Sequence, residues 1–382
     1  MMENKTKSTA TPWKVLSAVL AVALIAVSCA WAFTANGSKG QPTDKAGTEA
    51  PATADQGKAL SADKIQQKRK IIIDTDTAGD DASALIIAAK DPNVEILGVT
   101  VSEGNVKLDQ AVKNALMTLE MAGSDAPVYA GADATYTGNP RNVFSVFGKD
   151  GMGDQDLIHP TRKAADGSAI DFILDTIKAN PDEVEIVALG PVTNLALAFD
   201  KDAKTMKRVK RYWSMGTTGF GHGNATPVAE FNVYHDAEAY KVFAESGVPV
   251  TVLGLDMMND DVIHTKEWLD EIASKGGLSE FFAKSFGGLV KFNEQANGKA
   301  YADNPDGTCM ACVLWDGFVQ DTEACHPVVM TEDNETYGQF RIDYSVEDLE
   351  KRFDLEDTWR AAAREPKGKA FFTALRERLE GS

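Results

Sequence analysis

Positive charge is what this chain lacks most: 39 Lys and Arg stand against 57 Asp and Glu, a formal net charge of −18 over 382 residues. Such a surface repels a phosphate backbone or an anionic membrane, which excludes nucleic acid as a partner. A small neutral or cationic ligand, or a divalent metal held by carboxylates, suits it better. Cysteine is scarce too. Of the 4 present, Cys29 lies in an N-terminal apolar run, leaving Cys309, Cys312 and Cys325, an odd number. Cys309-Met310-Ala311-Cys312 has the spacing of half a zinc site, but no second pair accompanies it. A local disulfide or buried thiols are therefore expected. Neither an internal repeat nor a Pro/Gly/Ser-rich break follows residue 70, which argues for one domain over residues 70–382.

The first stretch is separate from the fold. Lys5, Lys7 and Lys14 precede an uncharged apolar run from Val15 to Phe33, the layout of an export signal over residues 1–33. Ala30-Trp31-Ala32 suits a signal peptidase, while Ala26-Val27-Ser28-Cys29 loosely resembles a bacterial lipobox. The run is also long enough to remain as a single membrane anchor. Cleavage, lipidation at Cys29 and retention all place the protein outside the cytoplasm, with membrane contact only through this segment. Residues 34–69, rich in Ala, Thr, Gly, Pro and charge without apolar period, read as a flexible linker.

From Lys70 onward, short β-branched runs alternate with segments of helical period. Ile71 to Ile73, Val94 to Val101, Val128 to Ala130, Val184 to Leu189 and Val250 to Leu255 have the character of strands buried on both faces. Asp80 to Lys90, Lys107 to Ala122, Ala169 to Asn180 and Ala237 to Glu245 carry apolar residues at helical spacing. Residues 265–297 read as one or two helices, and the tail from Lys367 as a closing helix. This alternation predicts a doubly wound α/β fold, a mostly parallel sheet flanked by helices. Ligands in such sheets bind at the carboxyl ends of the strands.

The most informative run is Ile71-Ile72-Ile73-Asp74-Thr75-Asp76-Thr77-Ala78-Gly79-Asp80-Asp81. Four carboxylates within eight positions, where a buried strand gives way to a helix, repel one another unless a cation sits among them. Calcium, with six to eight oxygen ligands in irregular geometry, is the economical candidate, with Asp76 and Asp81 sharing it with backbone carbonyls and water. Capping of the helix explains Asp80 and Asp81 but not all four. Asp-x-Asp after a strand also opens the haloacid dehalogenase-type phosphatases. There an aliphatic residue is wanted where Ala78-Gly79 stands, and no downstream Lys and acidic pair is evident.

Asp74-Thr75-Asp76-x-x-x-Asp80-Asp81-x-x-Ala84-Leu85 strongly resembles the signature of the inosine-uridine preferring nucleoside hydrolases. In the right order follow Thr100 to Asn105, Leu189-Gly190-Pro191-Val192-Thr193-Asn194, Asn224 to Asn232 and Trp315-Asp316, so the resemblance spans residues 70 to 316. It implies a calcium-dependent hydrolase acting on the N-glycosidic bond of nucleosides. Asp76 becomes a calcium ligand and the general base; Asp81, the Leu189 carbonyl and Asp316 complete the protein ligands. Asp80, Asn105, Met215, Asn224, Glu230 and Asn232 bind ribose. Carboxylates and amide oxygens around the sugar suit a ribosyl cation-like transition state, and calcium makes water easier to deprotonate. Family members are usually dimers or tetramers, which makes self-association an expectation.

Many nonspecific members carry a His before the late Asp and another in the loop after the third strand. Here Trp315 and Phe147 stand at those places, resembling a purine-preferring subgroup in which aromatic rings stack on the base. A purine preference with Phe147 and Trp315 as base-binding residues is the expectation. The bland reading of both is core packing. Loss of both imidazoles keeps open a non-catalytic surface nucleoside-binding protein, and a related ribosyl substrate is a third possibility.

Overall fold

The structure, a computed structural model, describes residues 68–139, 141, 146–258, 262–319, 322–343, 359–362 and 368–380. The export signal of 1–33, Cys29 and nearly all of the linker over 34–69 lie outside the described residues. Eleven strands are described: β1 (Arg69–Thr75), β2 (Val94–Val101), β3 (Val128–Ala130), β4 (Val184–Ala188), β5 (Arg211–Met215), β6 (Val250–Leu253), β7 (His264–Thr265), β8 (Tyr301–Ala302), β9 (Thr322–Val329), β10 (Phe340–Asp343) and β11 (Trp359–Ala362). The helices are α1 (Gly79–Ala89), α2 (Leu108–Met121), α3 (Ala169–Ala179), α4 (Thr193–Met206), α5 (Phe231–His235), α6 (Ala237–Ala244), α7 (Lys266–Ala273), α8 (Gly277–Ser285), α9 (Gly287–Asn297), α10 (Pro305–Leu314) and α11 (Gly368–Glu380).

Nine strands form one sheet in the order β10-β9-β11-β6-β5-β4-β1-β2-β3. The six from β3 to β6 are mutually parallel, and β11 continues them beside β6; β9 alone is reversed, antiparallel to both β11 and the edge strand β10. Alternate residues of β1 feed two cores. Ile71 and Ile73 pack with α1, α2 and α8, whereas Ile72 packs with α3, α4 and α6. A strand covered on both faces must be apolar throughout, as the Ile71-Ile72-Ile73 run is. This bears out the doubly wound, mostly parallel α/β architecture expected from the sequence.

Several elements escape the periodicity. The first strand opens at Arg69, not Ile71. The strand β5, beginning with a charged residue, and the strands β9 to β11 have no distinct apolar run. Residues 265–297, read as one or two helices, hold three, with the first break at Gly276 and Gly277, whose φ of 72° and 57° only glycine adopts readily. Among the described residues no helix is long and apolar enough to cross a membrane. Cys309 and Cys312 on α10 are buried free thiols, so the local disulfide between them falls away, and Cys325 on β9 is buried.

The chain leaves β1 toward β2 and β3 on one side and reaches β4, β5 and β6 on the other. The connections after β1 and β4 diverge there and open a crevice at the carboxyl ends of the strands. At the opposite, amino end, Glu185 of β4 ties three strands and a helix together. It accepts from Arg69 at 2.6 and 3.1 Å, from Trp213 Nε1 at 3.1 Å and from Lys210 at 3.2 Å. Arg69 also donates to the Val313 carbonyl near the end of α10 at 2.5 Å. Burial raises the Glu185 pKa, but Arg69, Trp213 and Lys210 outweigh it and hold the carboxyl down at about 2. The folded value lies below the usual one of 4.5, so its stabilisation is present above about pH 4.5 and lost as the pH falls toward 2. Glu185→Gln should destabilise the protein by about 2 kcal/mol at pH 7. Denaturant titrations at pH 7 and pH 3 should show the gap to the unsubstituted protein narrowing at the lower pH.

Candidate active site

The turn from β1 into α1 has no room for side chains around its acids. Asp76 lies between two glycines: a Cβ on Gly190 would stand 2.6 Å from Asp76 Oδ1, and one on Gly104 would strike Oδ2. Only bare backbone from the loops after β2 and β4 can close over this carboxylate. The Asn105 amide donates to Asp76 Oδ2 at 2.5 Å, while Oδ1 is buried without a hydrogen-bond partner. Asp81 is oriented by Thr75 Oγ1 at 2.5 Å and the Ala78 amide at 2.9 Å, so it also caps α1. Asp80, one residue earlier, has a buried Oδ1 with no partner.

A fourth carboxylate comes from far along the chain. Asp306, in the first turn of α10 and 3% exposed, brings an oxygen within 4.8 Å of those of Asp80 and Asp81. Burial and mutual repulsion push Asp76, Asp80 and Asp306 well above the usual carboxylate range; Asp81 is raised by burial. No lysine or arginine enters this group among the described residues. Orphaned buried oxygens on a cluster of hard anionic donors fit a hard divalent cation, which would satisfy them and remove the repulsion.

Above the cluster lies a cavity of about 480 Å³, the size of a small-ligand site. Asp80, Asn105, Met215, Asn224, Glu230, Asn232, Leu189 and Phe147, all singled out from the sequence, line it together. Asn232 Nδ2 donates to the Leu189 carbonyl at 2.6 Å and lies 3.3 Å from the Met215 carbonyl, tying the ends of β4 and β5 to α5. Asn224 Oδ1 accepts the Phe231 amide at 2.8 Å, closing the loop before α5. Glu230 caps α5 through Val233 N at 3.2 Å, and burial raises its pKa to about 7. Beneath, Asp74 accepts from Thr100 at 2.6 Å and Asn194 at 2.9 Å, holding neighbouring strands in place.

Two expected residues are elsewhere. Asp316 is exposed, and with Trp315 it lines a separate cavity at the amino ends of the strands with Arg69, Glu185 and Arg211. Trp315 lies under the Arg378 guanidinium, 4.5 Å from the ring centroid, and against Phe318. Both stand at the far end of α10 from the cluster, so the fourth carboxylate is Asp306 and not Asp316. The residue before it is Pro305, neither a histidine nor an aromatic ring. A sequence signal for this was available: Asn304-Pro305-Asp306 is a helix start, with Pro at its first position, ahead of an apolar helix. His222 is exposed and does not line the cavity.

α10 is held at its start by a buried network. Asn304 Oδ1 accepts from the Gly307 amide at 3.1 Å and Ser83 Oγ at 2.8 Å, and its Nδ2 lies 2.9 Å from His264 Nε2. Ser83 belongs to α1, so this network fixes the helix of Asp306 against the helix of Asp80 and Asp81. Burial pushes His264 down to about 3, leaving it a neutral acceptor for the amide. Asn304→Ala should cost about 1 kcal/mol as a lost cap. Calorimetric titration with a divalent cation should show several-fold weaker binding while circular dichroism stays native.

The model of the family described as inosine-uridine preferring nucleoside hydrolase matches residues 71–370. The chain is similar to uridine nucleosidase 1 of Arabidopsis thaliana, 41% identical over 229 residues, 59% of this chain and 68% of that one. It is 33% identical over 250 residues to the pyrimidine-specific ribonucleoside hydrolase RihB of Escherichia coli strain SE11, covering 65% and 79% of the two chains. Among solved structures, the purine-preferring ribonucleoside hydrolase from Gardnerella vaginalis superposes with a TM-score of 0.73 at 27% identity, over 82% of this chain and 98% of that one.

Proposed function

The chain belongs to the inosine-uridine preferring nucleoside hydrolase family and is an N-glycosyl hydrolase; we propose that it splits ribonucleosides into ribose and free base with a calcium ion at the carboxylate cluster. The observation carrying this reading is the set of converging oxygens of Asp80, Asp81 and Asp306 under the cavity, with Asp76 beside them and orphaned acceptors on Asp76 and Asp80. Asp76, Asp81, Asp306 and the Leu189 carbonyl would hold the ion. When bound, calcium offsets the repulsion among the carboxylates, anchors ribose hydroxyls and makes water easier to deprotonate.

The chain's own residues account for the rest. Asp80, Asn105, Asn224, Glu230 and Asn232 offer acceptors and donors to the ribose hydroxyls, and Met215 supplies an apolar surface to the ring. Negative charge gathered around the sugar favours a transition state in which positive charge builds on the ribose. Asp76, held by the Asn105 amide, takes the proton of the attacking water. Base selection rests on the rest of the cavity. Phe147 remains a wall for the base, but Trp315 lies outside the cavity, so the two-ring stack behind a purine preference loses one ring. Relatives named for pyrimidines and for purines both resemble this chain, which supports acceptance of both base classes.

Incubation of the protein with inosine and with uridine should release ribose from each. A chelator should abolish release and added calcium restore it. Asp76→Asn and Asp306→Asn should each lower kcat by about 10²–10⁴-fold, whereas Asp316→Asn should stay within about twofold. Loss on Asp316→Asn with full activity of Asp306→Asn would overturn the ligand set. Tight nucleoside binding with no ribose release would point instead to a binding protein.

A further inference from the structure

Once the residues tied to the carboxylate cluster and the ribose group are set aside, the remaining lining of the cavity is apolar or aromatic with few exceptions. Phe147, Leu255, Met258, Leu289 and Phe292 form most of it. The charged exception is Asp303. It stands on the segment between β8 and α10, lines the cavity beside Pro305, and has no hydrogen-bond or ion-pair partner among the described residues. The neighbouring Asn304 side chain is spent on His264, Ser83 and Gly307, and so cannot serve the cavity.

A half-buried carboxylate that lines a cavity without a partner is costly unless a ligand donates to it. We propose that Asp303 is a specificity-determining residue that accepts a hydrogen bond from the ring N–H of the nucleobase, so that the site selects bases with a lactam edge, such as hypoxanthine, guanine and uracil. This rests on the hydrolase reading above. The lactam N–H is shared by purines and pyrimidines, which reconciles acceptance of both base classes with a selective site. Burial pushes the Asp303 pKa to about 6, which leaves it mainly ionised, an acceptor, at neutral pH. A site built around a base N–H discriminates sharply against an analogue lacking it, because the acceptor is then buried unpaired.

The test compares kcat/KM of the full chain for inosine and 1-methylinosine, for uridine and 3-methyluridine, and for p-nitrophenyl riboside, which has the sugar but no base. The unsubstituted protein should prefer each parent over its N-methyl analogue by about tenfold or more. In Asp303→Ala, which removes the acceptor, that preference should collapse and the ratio of inosine to p-nitrophenyl riboside activity should fall by about tenfold, whereas Asp303→Asn, which keeps an amide oxygen acceptor, should retain part of the preference. Equal treatment of parent and methylated nucleosides by the unsubstituted protein would overturn the proposal. So would preference retained in full in Asp303→Ala, or a parallel loss on inosine and p-nitrophenyl riboside. Failure of the unsubstituted protein to release ribose from inosine, uridine or p-nitrophenyl riboside would instead sink the hydrolase reading, a distinguishable result.

Discussion

Everything at the carboxyl end of this sheet is arranged around repulsion. Asp76, Asp80, Asp81 and Asp306 are packed in a region from which water is largely excluded, with no protein cation among them in the described residues. Left alone, such a group would swell or take up protons. The fold resists by fixing each carboxylate from outside the cluster: glycine backbones enclose Asp76, Thr75 and the Ala78 amide aim Asp81, and the cap at Asn304 aims α10. Rigid presentation of mutually repelling oxygens makes a site that gains most from a small doubly charged ion.

The two ends of the sheet divide the labour. At the amino end, opposite charges are paired, and Glu185 with Arg69, Lys210 and Trp213 fastens the strands and the tail of α10. At the carboxyl end, like charges are assembled and left unpaired. Since α10 is gripped at both ends, by Asn304 and by Arg69, Asp306 is positioned from two sides through one rigid helix. The strand order allows this, because the crevice opens between β1 and β4, where the chain changes direction and backbone can approach closely.

What was legible in the sequence is what is local. The Ile71-Ile72-Ile73 run followed by acids announces a buried parallel strand ending at a site, and Asn224 to Asn232 carries three polar cavity residues within one loop. The six residues read from the sequence as ribose-binding, Asp80, Asn105, Met215, Asn224, Glu230 and Asn232, all line one cavity. Asp306 was missed because its role comes from packing against α1, not from its neighbours. A pairing of Trp with Asp ten residues later matched a motif but sits past the end of the helix, where α10 has carried the chain to the other side of the sheet. The strands β9 to β11 were unreadable because their residues, with His326-Pro327 in β9, Arg341 and Asp343 in β10 and Arg360 in β11, form no continuous apolar run.

Distance along the chain between the first three acids and the fourth has a bearing on how the molecule comes into being. The segment with Asp76, Asp80 and Asp81 emerges early, whereas Asp306 and its cap at Asn304 come only after β1 to β8 have been made. An ion site assembled from both parts cannot exist in a nascent or truncated chain. Cation binding at the proposed site would therefore be coupled to completion of the fold, and cation concentration would act on the finished molecule as a stabilising ligand does.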